Sequence, residues 1–119
     1  MQNFRNLTVW SRAHAVTLHV YAASQGFPRE ELFGLTSQMR RSSASIGANI
    51  AEGCCRKGDG EFSRFLQIAM GSASELEYHL LLAKDLNLLS AQSYQTLSFE
   101  VVEVKRMLAS LIRKIKVEV

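Results

Sequence analysis

Three histidines, two adjacent cysteines and a run of serines are the side chains of this 119-residue sequence whose types suit chemistry. His14 and His19 stand five residues apart and His79 stands alone. No glutamate is followed three residues later by a histidine, the inward pair with which helical bundles hold two metal ions. The spacing therefore predicts no metal and no cofactor. Cys54 and Cys55 are neighbours, so a bridge between them would be strained, and the C-x-x-C spacing of a zinc site is missing. Both are read as reduced thiols of a cytoplasmic protein. Ser42, Ser43 and Ser45 have no obvious histidine partner and sit in a helical setting, with no nucleophile elbow. Gly58 and Gly60 lack the G-x-x-x-x-G-K-[ST] pattern of a phosphate loop. The sequence predicts a protein that is not an enzyme.

What remains as a functional signal is positive charge. The net charge is +3, with a pI near 9.1, which permits an anionic partner without demanding one. The charge is uneven: residues 1–58 hold seven lysines and arginines against three acids, and the rest hold seven against eight. The clusters are Arg40-Arg41, Arg56-Lys57, Lys105-Arg106 and Arg113-Lys114 with Lys116. Some of these, Arg56-Lys57 and Arg113 to Lys116 above all, also suit the negative ends of helix dipoles. Aromatic residues are not interleaved with them as a base-stacking platform requires. Nucleic-acid binding through these residues would rest on the phosphate backbone and be sensitive to salt.

The elements that must carry these residues are helices. The composition, 47% hydrophobic and 21% charged, is that of an ordinary globular chain, and one proline leaves room for long helices. Arg12 breaks the only early apolar run, so no signal peptide is expected, and no stretch approaches the roughly 20 apolar residues of a membrane span. Residues 1–119 are read as one domain. Thr8 is placed as the cap of a first helix ending near Ser24, with Val9, Ala13, Val16, Val20 and Ala23 on one stripe and Trp10, His14, Thr17 and Tyr21 beside it. A second helix runs from Leu35 or Thr36 to Cys54, its inward stripe being Leu35, Met39, Ser42, Ile46, Ile50 and Gly53. After the turn at Arg56–Gly60, capped by Asp59, a third runs from about Gly60 to Leu86. Its stripe, Phe62, Leu66, Ala69, Ala73, Leu76, Leu80 and Ala83, is an unbroken heptad. Ser90 caps a fourth helix, with Tyr94, Leu97, Val101, Val104, Leu108, Leu111 and Ile115 inward. Phe99, Val102 and Ile112 lie off that stripe, marking either an oligomer interface or a broad core face. Short connections favour an all-α, antiparallel, up-down-up-down four-helix bundle.

The stretch Ser45 to Gly53 is built from small residues, with Asn49 and Glu52 beside its apolar stripe. If the second and third helices fold back near Gly58-Asp59, Gly47 comes level with Met70 and Gly71, and the backbones approach closely there. The same register brings Arg40 and Arg41 level with Glu75 and Glu77, which predicts ion pairs. Asn49 and Glu52 either hydrogen-bond across the bundle or line a binding surface.

Phe4, Leu7, Trp10 and Ala13 are followed in order by Phe27-Pro28-x-x-Glu31, Leu35-Thr36-Ser37-Gln38-x-Arg40-Arg41, Ser45-Ile46-x-x-Asn49-Ile50-Ala51-Glu52-Gly53 and Gly71-Ser72-x-x-Glu75-Leu76-Glu77. This series resembles the four-helix-bundle family of 23S rRNA intervening-sequence proteins, also called S23 ribosomal proteins. The resemblance implies a cytoplasmic bundle that assembles with itself as a homopentamer. It implies further kinship with the accessory variability protein of diversity-generating retroelements, a basic barrel that binds nucleic acid and a reverse transcriptase. The resulting expectation is a non-enzymatic oligomer that binds RNA or another nucleic acid through its basic residues. The alternative is a structural or protein-interaction module whose basic residues serve solubility and helix ends.

Overall fold

The computed structural model describes residues 2–115, which form four α-helices and, among those residues, no strand. They are α1 (Thr8–Ser24), α2 (Leu35–Cys54), α3 (Asp59–Asp85) and α4 (Ala91–Lys114), with short 3-10 turns at Phe4–Asn6 and Arg29–Glu31. The body measures 48 × 23 × 22 Å. Each helix packs on the next in the chain and α1 also packs on α4, while α1 and α3, and α2 and α4, lie across the core with no Cα atoms within 8 Å of each other among the described residues.

The apolar stripes become the core almost without change. All seven heptad positions of α3 are buried, as are the six inward positions of α2. On α1, Val9, Ala13, Val16 and Val20 are buried, but the stripe continues to Ser24 and leaves Ala23 half-buried. Ser24 is accommodated because its hydroxyl donates to Val20 O at 2.8 Å. On α4 only Leu97, Val101, Val104 and Leu108 are fully inside. Ile112 packs on the core from its edge, whereas Phe99 is 66% exposed.

Helix ends depend on backbone geometry that periodicity does not carry. Ser90 caps α4 through its side chain, accepting from Ser93 N at 3.0 Å. Thr8 and Asp59 are not caps; each is the first residue of its helix, behind Leu7 and Gly58. Gly58 has φ +84°, a left-handed conformation that glycine adopts without a steric cost. Asp59 and Glu61 then sit in the first turn of α3, where negative charge opposes the dipole. The end of α3 uses Asn87 at φ +63°: Leu88 N reaches back to Ala83 O at 2.8 Å and Asn87 N to Lys84 O at 2.9 Å, which satisfies its last carbonyls. At the start of α2, the Glu31 carboxylate accepts from Leu35 N at 3.1 Å. Gly34 leaves room for that, since a β-carbon there would stand 3.0 Å from Glu31 Oε1.

Contacts between neighbouring helices run in opposite senses along the two sequences. Arg41, Ser45 and Gly53 of α2 meet Glu75, Ser72 and Phe65 of α3. Trp10, Thr17 and Tyr21 of α1 meet Gly47, Ser43 and Arg40 of α2. The expected approach of Gly47 to Gly71 is not made. A β-carbon on Gly47 would stand 3.3 Å from Trp10 Nε1, and one on Gly71 would meet nothing within 4 Å. The close approach is at Gly53 instead, where a β-carbon would stand 2.9 Å from Phe65 Cβ.

Candidate nucleic-acid interface

The basic residues fall into two groups once the helices are in place. Several are committed to carboxylates: Arg41 to Glu75, Arg56 to Glu52 at 2.9 Å, Lys105 to Glu77 at 2.8 Å and Arg106 to Glu103 at 3.2 Å. Arg40 pairs with neither expected glutamate. It turns toward α1, donating from Nε to Ser24 Oγ at 2.9 Å and lying over the Tyr21 ring. Lys57, Arg113 and Lys114 are exposed and have no carboxylate within 4 Å among the described residues. Lys116 lies outside the described residues.

These last residues share one end of the bundle. Gln2 N donates to Cys54 O at 3.2 Å, which seats the chain start beside the end of α2. Leu7 and Thr8 line one groove with Leu111 and Lys114, which brings the end of α4 to the same place. The turn between α2 and α3 is there too. Arg5 and Arg64, which sequence reasoning passed over, therefore join Arg56, Lys57, Arg113 and Lys114. Arg56 and Arg64 both lie over the Phe65 ring, at 5.0 and 4.7 Å from its centroid. Arg64 hydrogen-bonds Glu61, holding that carboxyl below its usual range. Clustering at an end arises only when four helix termini are brought together, so spacing along the chain could not reveal it.

The remaining motif residues form a polar seam between α2 and α3. Ser45 Oγ and Ser72 Oγ share a hydrogen bond of 2.9 Å, and Asn49 donates to Ser45 O and Oγ at 2.8 and 3.0 Å. Asn49 thus acts within its own helix and steadies the serine that crosses the interface. Glu52 is 49% exposed at its side chain and pairs only with Arg56 of the next turn among the described residues. Gly71 is exposed, while Glu75 and Glu77 on either side of buried Leu76 reach α2 and α4 respectively.

Reversing Arg41 and Glu75 singly and together should show a coupling of at most about 1 kcal/mol, because both side chains are half-exposed. Additive effects in a denaturant titration would show that the pair contributes nothing.

The seam also supplies a histidine partner for a serine, which sequence reasoning did not find. Ser42 Oγ lies 3.5 Å from His79 Nδ1, and His79 Nε2 lies 3.8 Å from Glu75 Oε2. Serine, histidine and carboxylate follow one another as in a hydrolytic triad, but the surroundings forbid that chemistry. Ser42 is 0% exposed, and its hydroxyl donates to the carbonyls of Gln38 at 2.9 Å and Met39 at 3.2 Å. A substrate carbonyl cannot reach it, so the arrangement is structural.

Burial holds the His79 imidazole below its ordinary range; Glu75 pulls it up and Arg41 pushes it down. A histidine that is harder to protonate when folded adds stability above its unfolded value near 6.5, and that stability is lost as the pH falls through the folded value. The urea midpoint should therefore fall from about pH 7 to about pH 5, and His79→Gln should shrink that fall. An unchanged pH dependence in the variant would contradict it.

Among the described residues, no three histidine, cysteine or acidic side chains gather closely enough to hold a metal, and no helix is long and apolar enough to cross a membrane. Both cysteines are free, Cys54 buried and Cys55 exposed.

No curated protein matches the chain. A crystal structure of a protein of unknown function from the S23 ribosomal protein family of Bacteroides thetaiotaomicron VPI-5482 superposes with a TM-score of 0.81. It is 26% identical, and the match covers 89% of this chain and 99% of that one. The profile of the family described as 23S rRNA-intervening sequence protein matches residues 5–110. Neither match concerns a retroelement protein. With the sequence matched over that span and the four helices matched to a solved relative, the chain belongs to the 23S rRNA-intervening sequence protein family.

Proposed function

We propose that this protein is a non-enzymatic, cytoplasmic, self-assembling bundle that binds RNA, its helices running up-down-up-down. The observation that carries the RNA reading is the gathering of Arg5, Lys57, Arg113 and Lys114 at one end, with no carboxylate within 4 Å of any of them among the described residues. Cations at the ends of α2 and α4 also complement the helix dipoles, but Arg5 precedes α1, where that explanation fails. The cluster offers point charges and guanidinium forks, and the Phe65 ring beneath Arg56 and Arg64 is buried, so it suits phosphates more than bases. The opposed contacts between neighbouring helices support the topology. Exposed Phe99, Tyr78 and Leu81 support assembly with further copies, five on the family resemblance.

The test is a titration with labelled, structured RNA at low and moderate salt. Binding should weaken as salt rises, and the combined Lys57→Gln, Arg113→Gln and Lys114→Gln variant should lower the slope of log affinity against log salt by about 2–3. Lys105→Gln, which removes a cation already paired with Glu77, should leave the slope nearly unchanged. No binding at low salt would overturn the reading. Sedimentation velocity on the same sample measures the assembly, and a monomer would contradict it.

A further inference from the structure

At the other end of the bundle, the connection between α1 and α2 folds back to make a cleft of about 430 Å³. Ser24 at the end of α1, Phe27, Arg29 and Leu32 of the connection, and Thr36 and Arg40 of α2 line it. From its chemistry we infer that this cleft binds a phosphate monoester, with Arg40, Arg29 and Thr36 as its recognition groups.

The first support is the way Arg40 is held. Its Nε donates to Ser24 Oγ at 2.9 Å, one terminal nitrogen reaches Tyr21 O at 3.4 Å, and the guanidinium lies 4.8 Å from the Tyr21 ring centroid. Those contacts fix the plane of the group and use two of its five N–H donors. No carboxylate lies within 4 Å of it among the described residues. A half-buried guanidinium that is anchored yet lacks a counter-charge is arranged to receive an anion.

The second support is independent of the first. Thr36 is 3% exposed, and its hydroxyl is the one buried side-chain polar atom without a hydrogen-bond partner among the described residues. Thr17, in the middle of α1, returns its hydroxyl to Ala13 O at 3.1 Å, but Thr36 is the second residue of α2 and has no turn of that helix before it to bond. Its hydroxyl is left without a partner, and a buried polar group with nothing to bond is unfavourable. Thr36 lines the cleft beside Arg40, and a change of χ1 rotamer would bring its covered hydroxyl to the cleft surface, where it would complete an oxyanion site.

Charge and shape select the class of anion. Arg29 is a second cation on the cleft with no carboxylate within 4 Å among the described residues. The nearest acid along the chain that is turned inward, Glu31, is committed to Leu35 N, while Glu30 is exposed and does not line the cleft. Two arginines and a hydroxyl match a doubly charged group with three terminal oxygens, whereas a carboxylate offers one charge and two oxygens in a plane. Phe27 and Leu32 supply an apolar wall for the rest of the ester. The same phosphate chemistry arises on a free nucleotide and at the phosphorylated end of an RNA. The inference does not rest on the RNA reading above, whose residues occupy the opposite end of the bundle.

The experiment is a titration of the isotope-labelled full chain, at constant ionic strength, with inorganic phosphate, 5′-AMP, and one RNA oligonucleotide carrying either a 5′-phosphate or a 5′-hydroxyl. NMR signals of the Thr36 amide and the Arg40 Nε–H should shift saturably with 5′-AMP and, at higher concentration, with phosphate. Thr36→Val, which keeps the side-chain shape, should weaken the binding of 5′-AMP about tenfold. Arg40→Gln should weaken it further. If 5′-AMP binds as tightly as the phosphorylated RNA, the ligand is a free nucleotide. If the RNA binds more tightly and only with its 5′-phosphate, the ligand is an RNA end; either result supports the site. No saturable shift at Thr36 or Arg40 with any phosphate would overturn it, as would unchanged 5′-AMP affinity in folded Thr36→Val. The 5′-hydroxyl RNA separates the two readings, since it can still bind the basic end when the cleft fails.

Discussion

Replacing Gly53 with alanine should lower the stability of the chain by about 1–3 kcal/mol, seen as a lower urea midpoint with an unchanged slope. The new β-carbon would stand 2.9 Å from Phe65 Cβ, 3.0 Å from Phe62 Cδ1 and 3.4 Å from Phe62 O. A ring can rotate away, but a β-carbon and a carbonyl move only with their helix. The clash would therefore separate the end of α2 from the start of α3, where Phe62, Phe65 and Cys54 are all buried. Alanine improves helix propensity by about 1 kcal/mol over glycine, which reduces the loss without reversing it. Gly71→Ala provides the contrast: a β-carbon there meets nothing within 4 Å, so the propensity gain should appear as a higher midpoint. A midpoint for Gly53→Ala at or above that of the natural sequence would mean that the two helices do not approach as described.

Leu76→Ala should be more damaging, at about 2–5 kcal/mol. Leu76 is 0% exposed in the middle of the α3 heptad, and truncating it leaves a void that close-packed helices fill poorly. Its neighbours make the comparison informative. Glu75 reaches Arg41 of α2 and Glu77 reaches Lys105 of α4, so three consecutive residues tie α3 to the core and to both flanking helices. The glutamate pairs are partly solvated and should each contribute no more than about 1 kcal/mol, which Glu77→Gln would measure under the same conditions. A loss for Leu76→Ala no larger than that for Glu77→Gln would show that the ion pairs, not the core, hold α3 in place.

Much of this fold is legible in the sequence because helical periodicity reports burial directly. The stripe from Phe62 to Ala83 becomes the inner face of α3 residue for residue, and that from Leu35 to Gly53 does the same for α2. The pairing of Arg41 with Glu75 is legible as well, since counting outward from a tight turn sets the register of one hairpin. Features needing a second register are not. Gly47 faces Trp10 across α1 and α2, a pair separated by a ten-residue connection from Gln25 to Gly34 that gives no simple count. His79 meets Ser42 only because α3 turns its polar edge inward at that level. The caps at Leu7 and Gly58 depend on dihedral angles, and the basic end depends on four helix termini meeting. Arg40, expected beside a glutamate, faces Tyr21 and Ser24 because it lies one residue, about 100° of helix, away from Arg41.

That same angular step separates Cys54 from Cys55. One thiol is 2% exposed and is pushed up in pKa by burial and by its neighbour, while the other lies open to solvent. An alkylating reagent will reach Cys55 in the native protein but must wait for the last turn of α2 to come apart before it reaches Cys54. Because that turn packs on Phe62 and carries the contact with the chain start at Gln2, the delay between first and second labelling is a clock for fraying at the basic end. The chain thus carries its own reporter of local opening, sensitive to whatever settles on that end and requiring no introduced probe.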